Sequence, residues 1–408
     1  MNRPTIAIGP PKSSGRVTQW LGAAGFVACA TALGWLVWSS NLERSCMLGE
    51  WPPLENCPAG SKRATAPRAE LERIVSRNPG DSQAWIQLAL LTQQPGAPLD
   101  FGSKIALDAA TLLARQDYRV QRLQAALALK EERWSDATYW LIRLVRDNGN
   151  ANGDPAVVLA SLLLQPQAVK AMQTQVGPDS RWLASVIDAL PRAKIPAVAM
   201  LPVMIYALDQ KAVTLELLQK ALKSLRAQGA WLEAHAFWLA WLGRPVPLIF
   251  NGDFNQGFLP DTFDWRILPV APSKSGALVS QGAMPGRGGV LVVDFNGRRL
   301  QPVSLIEQNL ILLNKSYVLG GQFMASKLAS NSGLHWSLRC NTAKVEFART
   351  EALMNITEQW STFSLTFNIP PNCGQAATLS LVPGSVDSPT SGIRGQVWFD
   401  NLQLSNSP

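Results

Sequence analysis

Gly395-Gln396-Val397-Trp398-Phe399-Asp400-Asn401-Leu402-Gln403-Leu404 closes the chain with a run that alternates apolar and polar positions. That is the period of a half-buried β-strand. Five more runs of this kind precede it, at 290–295, 316–324, 334–340, 363–369 and 377–382, with glycine- and serine-rich turns between them. The shift in composition that opens this region falls at Gly243-Arg244-Pro245-Val246-Pro247. About 160 residues of short alternating strands predict a two-sheet antiparallel β-sandwich over 248–408.

Four stretches of the same region carry a family likeness. Asn251-Gly252-Asp253-Phe254 opens it and Trp265 follows. Tyr317-Val318-Leu319-Gly320-Gly321-Gln322-Phe323 comes next, then Trp360, Phe363, Phe367 and Pro370, and Phe399-Asp400-Asn401-Leu402 closes. In this order they resemble the galactose-binding-like jelly rolls that include the carbohydrate-binding modules attached to xylanases and glucanases. The resemblance implies a fold directly and a ligand only weakly, because a fold does not fix a function. It further implies a structural Ca²⁺ held by Asp253 and Asp400, carboxylate oxygens being what that cation takes; the alternative is an Asp400 that caps a turn. Sugar recognition needs an exposed aromatic face with amide, carboxylate or guanidinium groups beside it. Strand alternation nominates Trp336, His335, Arg339, Gln322 and Trp360, with Trp336 first. Trp265, Trp360 and Trp398 more often fill the interior of this fold.

Upstream, residues 67–245 turn helical: leucine, alanine and charged residues recur at spacings of three and four, punctuated by turns such as Asn78-Pro79-Gly80-Asp81. Two stretches resemble tetratricopeptide repeats. One is that turn with Ala84-Trp85 and Leu88-Ala89. The other is Leu123, Ala126, Leu127 and Leu129, then Glu132-Arg133-Trp134, then Ala137, Leu141 and Leu144. The match decays beyond 150, where Pro191, Pro196 and Pro202 interrupt the register. Stacked repeats of this type form a solenoid, which implies a protein partner in its groove. The tryptophans of the region sit at helical spacing and read as core, and the nearly all-apolar run 231–241 reads as a capping or docking helix.

Residues 17–39 hold no charged side chain and are long enough to cross a bilayer as one helix. Arg3, Lys12 and Arg16 precede this segment without an acid among them, which places 1–16 in the cytoplasm and the rest on the far side. An uncleaved anchor in a bacterial inner membrane with a periplasmic bulk is the expectation; cleavage after Ala30 and lipidation at Cys29 are its alternatives. Cysteine usage suits export. Cys46 with Cys57, in the 40–66 linker, and Cys340 with Cys373, in the sandwich, each pair within one module, and the alternative is buried free thiols.

Charge excludes more than it assigns. Of 37 basic and 29 acidic residues, 22 and 16 lie in 60–245 and 11 and 10 in 246–408, so the sandwich is neutral. Without a basic cluster interleaved with aromatics, a nucleic-acid partner finds no support. The two histidines, His235 and His335, lie on different modules, which leaves no triad, and no nucleophile elbow, phosphate loop or zinc-protease motif occurs. Asp261 with Asp264 and Glu346 with Glu351 are the carboxylate pairs a glycosidase would need, but acids of this kind are usually solvated. The expectation is a non-catalytic, membrane-anchored α-plus-β protein that binds carbohydrate or scaffolds polysaccharide assembly or export.

Overall fold

The computed structural model of the chain describes residues 67–91, 101–148, 154–268, 276–298, 304–313, 316–330, 333–353, 358–384 and 392–407. The expected cytoplasmic tail, membrane anchor and Cys46/Cys57 loop lie outside these residues. Among the described residues no single helix is long and apolar enough to cross a membrane.

The chain divides into two compact units, Met1–Leu123 and Gln124–Pro408. The change from helix to strand near residue 245 therefore falls inside the second unit. The first unit holds α1 (Arg68–Arg77), α2 (Ser82–Leu91), α3 (Phe101–Leu113) and the opening turns of α4 (Tyr118–Lys130). The Asn78–Asp81 turn between α1 and α2 has a local cause. The Asp81 carboxylate caps α2 by accepting from the Ala84 amide at 3.1 Å, and the Trp85 indole N–H donates to the Pro79 carbonyl at 2.9 Å.

In the second unit α5 (Trp134–Asn148), α6 (Pro155–Leu162), α7 (Pro166–Thr174), α8 (Trp182–Ala193), α9 (Leu201–Asp209), α10 (Leu215–Ala227) and α11 (Trp231–Leu242) precede the strands. Starts and stops follow capping chemistry. Asp154 caps α6, with Pro155 in its first turn, and Thr214 caps α10; Gly243, left-handed at φ 65°, ends α11. Pro191 sits in the last turn of α8, which closes on a left-handed Lys194.

Two five-stranded antiparallel sheets follow, so the sandwich expected from the alternating runs is present. The first runs β1 (Arg266–Ile267), β4 (Ile306–Ile311), β9 (Ala376–Pro383), β6 (Leu334–Cys340), β7 (Glu346–Arg349). The second runs β2 (Ala277–Met284), β3 (Gly288–Asn296), β10 (Arg394–Asn406), β5 (Ser316–Ala329), β8 (Ser361–Asn368). Between the sheets, Trp265, Trp336, Tyr317, Phe254 and Phe399 are fully buried. Cys340 and Cys373 form the expected disulfide, tying the end of β6 to the turn before β9.

The helices of this unit and the sandwich share a second core. Trp238 of α11, 1% exposed, packs edge-on to Phe250 at 5.2 Å and lies 5.5 Å from Phe263. Ile311 of β4 and Ala376 of β9 join the same cluster from the outer face of the first sheet. Hydrogen bonds lock the contact: the Arg226 guanidinium of α10 donates to the Asp261 and Thr262 carbonyls at 2.6 and 2.9 Å, and Gln219 donates to the Pro260 carbonyl at 2.7 Å. The outer face of the first sheet is thus partly roofed by α10 and α11, and that roof makes a cleft.

Candidate functional site

The cleft encloses about 240 Å³. Its floor is the outward side of the first sheet. Alternation turns Ile306, Gln308 and Leu310 inward and leaves Glu307 and Asn309 facing out. Register then sets Asn309 of β4 opposite Thr378 of β9, and Thr378 opposite Arg339 of β6. Asn341 and Lys344 come from the β6–β7 turn, Arg266 from β1, Asp261, Thr262 and Asp264 from the preceding loop, and Arg226 and Trp231 from α10 and α11.

Nearly every acid here is engaged. Glu307 pairs with Arg266, whose other terminal nitrogen lies 3.8 Å from Asp261. Asp264, 2% exposed, accepts from the Leu259 amide on Oδ2 at 2.8 Å and from the Trp265 amide on Oδ1 at 2.7 Å. Glu346 of β7 holds Arg349 through two 2.8 Å bonds and accepts from Ser337 at 2.6 Å. Burial alone would raise the Glu346 carboxyl, but Arg349, Ser337 and the field of Arg339 hold it below its ordinary value. On the floor, Thr378 Oγ1 lies 3.0 Å from Asn309 Oδ1 and 2.6 Å from Asn341 Oδ1, while Asn341 Nδ2 donates to Asn309 Oδ1 at 3.2 Å. Both amide oxygens of this trio thus have a partner, whereas among the described residues Asn309 Nδ2 has none.

Burial pushes the Asp264 carboxyl up to about 6, against the opposing pull of the Leu259 and Trp265 amides and the Asn251 side chain. An acid whose folded value lies above its unfolded one stabilises the fold at low pH, and that contribution is lost as pH rises through the folded value. Wild-type stability should accordingly lose roughly 2 kcal/mol through this group between about pH 4 and pH 7. Asp264→Asn should flatten that slope, whatever constant offset the lost amide acceptor adds. Denaturant midpoints across this range test it, and parallel slopes in the two proteins would refute the assignment.

The five expected ligand residues do not form one site. Trp336 is a correction: it is fully buried, 5.3 Å from Phe399 and 5.7 Å from Trp265, and cannot stack on a sugar. His335 and Arg339 flank it on the outer face of the first sheet, with His335 Nδ1–H donating to the Thr350 carbonyl at 2.9 Å. Gln322 lies on β5 of the other sheet and Trp360 immediately before its β8. There the Arg287 guanidinium lies 3.9 Å over the Trp360 ring, donates to Gln322 at 2.5 Å and reaches Asp400 Oδ2 at 3.1 Å.

That arrangement also answers the calcium expectation. The Asp400 carboxylate is neutralised by Arg287 and accepts from the Asn401 amide at 2.7 Å; Asp253 accepts from Asn255 Nδ2 at 2.9 Å. Among the described residues no three His, Cys, Asp or Glu side chains gather at Asp253 or Asp400, and the Asp400 carboxylate is engaged by Arg287. Asp261 and Asp264, the paired acids of a hydrolase reading, do line the cleft, but both Asp264 oxygens are taken by main-chain amides.

No protein-family model matches this chain, and no curated protein matches it. Among solved structures it is similar to a carbohydrate-binding module described as "CBM4 structure and function", at 20% identity and a TM-score of 0.31, over 39% of this chain and 99% of that one. It is similar to the CBM22-1 xylan-binding domain of Xyn10C from Paenibacillus barcinonensis at 13% identity and a TM-score of 0.25, over 38% and 91%. A third is TmCBM61 in complex with β-1,4-galactotriose, at 14% identity and a TM-score of 0.25, over 40% and 100%.

Proposed function

We propose that this protein is a non-catalytic carbohydrate binder whose site is the cleft between α10–α11 and the outer face of the first sheet. One observation supports the reading above the others: Trp231 lines a space of about 240 Å³ together with amide, hydroxyl, carboxylate and guanidinium groups. Apolar ring surface beside hydrogen-bonding groups of both polarities is what a pyranose ring requires. Catalysis fits less well, because Asp264 anchors its own loop and Glu307 is paired with Arg266.

In this reading the apolar segment at 17–39 tethers the protein to a bacterial inner membrane. The binding unit faces the periplasm and serves assembly or export of a surface polysaccharide. The first unit supplies the protein-binding arm of such a scaffold; the exposure of Leu112 (87%), Leu113 and Ile105 on α3 favours that role.

Glycan-array binding by the full chain, followed by titration of any polymer that responds, tests the proposal. Trp231→Ala and Asn309→Ala are expected to weaken binding roughly tenfold each, about 1.4 kcal/mol, with the circular-dichroism spectrum unchanged. Flat responses to all neutral and acidic polymers would sink it.

A further inference from the structure

The charges around the cleft are unequally engaged. Arg266 is held by Glu307, and each guanidinium nitrogen of Arg226 donates to a main-chain carbonyl, those of Leu222, Thr262 and Asp261. Two cations remain. Among the described residues neither Lys344 nor Arg339 makes a side-chain hydrogen bond or ion pair, and both are exposed, although Arg339 stands across from Glu346 of β7 and feels its charge. Arg339 stands directly across from Thr378 on the floor, and Lys344 lines the cleft itself, held there by a left-handed turn at φ 57°.

The neutral groups lean the same way. Asn309 Oδ1 already receives Asn341 Nδ2 and lies 3.0 Å from the Thr378 hydroxyl, while among the described residues Asn309 Nδ2 has no partner, so Asn309 offers the ligand N–H donors. A ligand that completes these groups must bring acceptors and negative charge, and a neutral sugar brings hydroxyls only. A carboxylate between an ammonium, a guanidinium and amide N–H groups makes charge-assisted bonds roughly twice as strong as neutral ones.

Resting on the carbohydrate reading above, we propose that the cleft selects an acidic polysaccharide, with ring carboxylates met by Lys344 and Arg339 over the amide floor of Asn309 and Asn341. No step of chemistry on the sugar is involved.

Full-length protein is titrated at constant ionic strength with polygalacturonate, alginate and hyaluronan, with the carboxyl-reduced form of each, and with poly-glutamate as a polyanion lacking sugar. At least one uronate polymer is expected to bind tenfold or more tighter than its carboxyl-reduced form and than poly-glutamate. Lys344→Gln and Arg339→Gln should each remove roughly three- to tenfold of that preference, read as the ratio of the acidic polymer's affinity to that of its reduced form. Both side chains are exposed, so the folded spectrum should persist. Equal binding of acidic and reduced polymers overturns the selectivity and leaves the carbohydrate reading standing. Poly-glutamate binding as well as the uronates overturns it in favour of nonspecific charge attraction. No binding to any polymer of the panel removes both.

Discussion

Replacing Trp238 by alanine is expected to lower the stability of the second unit by about 3 to 5 kcal/mol, and helix and sandwich signals should disappear in the same transition. The side chain is 1% exposed and sits where the helical layer meets the sandwich, between Phe250, Phe263 and His235. Its indole N–H has no hydrogen-bond partner, so alanine orphans no acceptor and the whole cost is lost contact and residual cavity. Ile311 and Ala376 belong to the same cluster, so a void there reaches the floor of the cleft as well as its roof. Urea unfolding followed by circular dichroism for the helices and by the fluorescence of the buried sandwich tryptophans decides the matter. Two separated transitions, with only the helical one shifted, would show that the shared core carries no cooperativity. Trp238→Phe, which keeps most of the contact, should cost less than half as much.

The same packing explains why the sandwich was legible in the sequence and the cleft was not. Sheet strands announce themselves by period two, and β10, β5 and β9 do so plainly. Trp336 illustrates a signal that was present and overridden. Leu334, Trp336, Leu338 and Cys340 share one parity and are all buried, while His335 and Arg339 have the other and cannot face the same side as Trp336. Glu307, Asn309 and Thr378 are equally readable as outward positions of β4 and β9, but they are ordinary polar residues on a strand until something covers them. That cover is Arg226 and Trp231, separated from Glu307 by more than seventy residues, and no local pattern announces a contact made in the fold alone. The Arg287 that engages Asp400 was hidden for a related reason: it lies 113 residues away.

The opening motif yields the other large effect. Asn251-Gly252-Asp253-Phe254 is a tight bend in which Asn251 and Phe254 both adopt φ 50°. Asn251 binds Gln256 through both side-chain atoms, and its carbonyl accepts the Trp265 indole N–H at 3.0 Å. Gly252 accepts the Leu402 amide at 2.8 Å, so the bend is pressed against the closing strand. A β-carbon on Gly252 would fall inside contact distance of the Leu402 carbonyl, a backbone atom that cannot swing aside. Leu402 is itself fixed: its side chain is 4% exposed in the sandwich core, and Asp400 beside it is clamped by Arg287. Gly252→Ala should therefore cost more than about 3 kcal/mol, beyond the usual range of overpacking, although Gly252 is not left-handed and no conformational strain adds to it. Gly257, a few residues on, has nothing within 4 Å of an added β-carbon, and Gly257→Ala should stay within roughly 0.5 kcal/mol of wild type. Urea midpoints of the two variants side by side separate a steric cause from a general intolerance of the loop. Equal, small effects would mean that the opening bend and the closing strand are not in register contact, and the link between the two ends of the sandwich motif would fail with them.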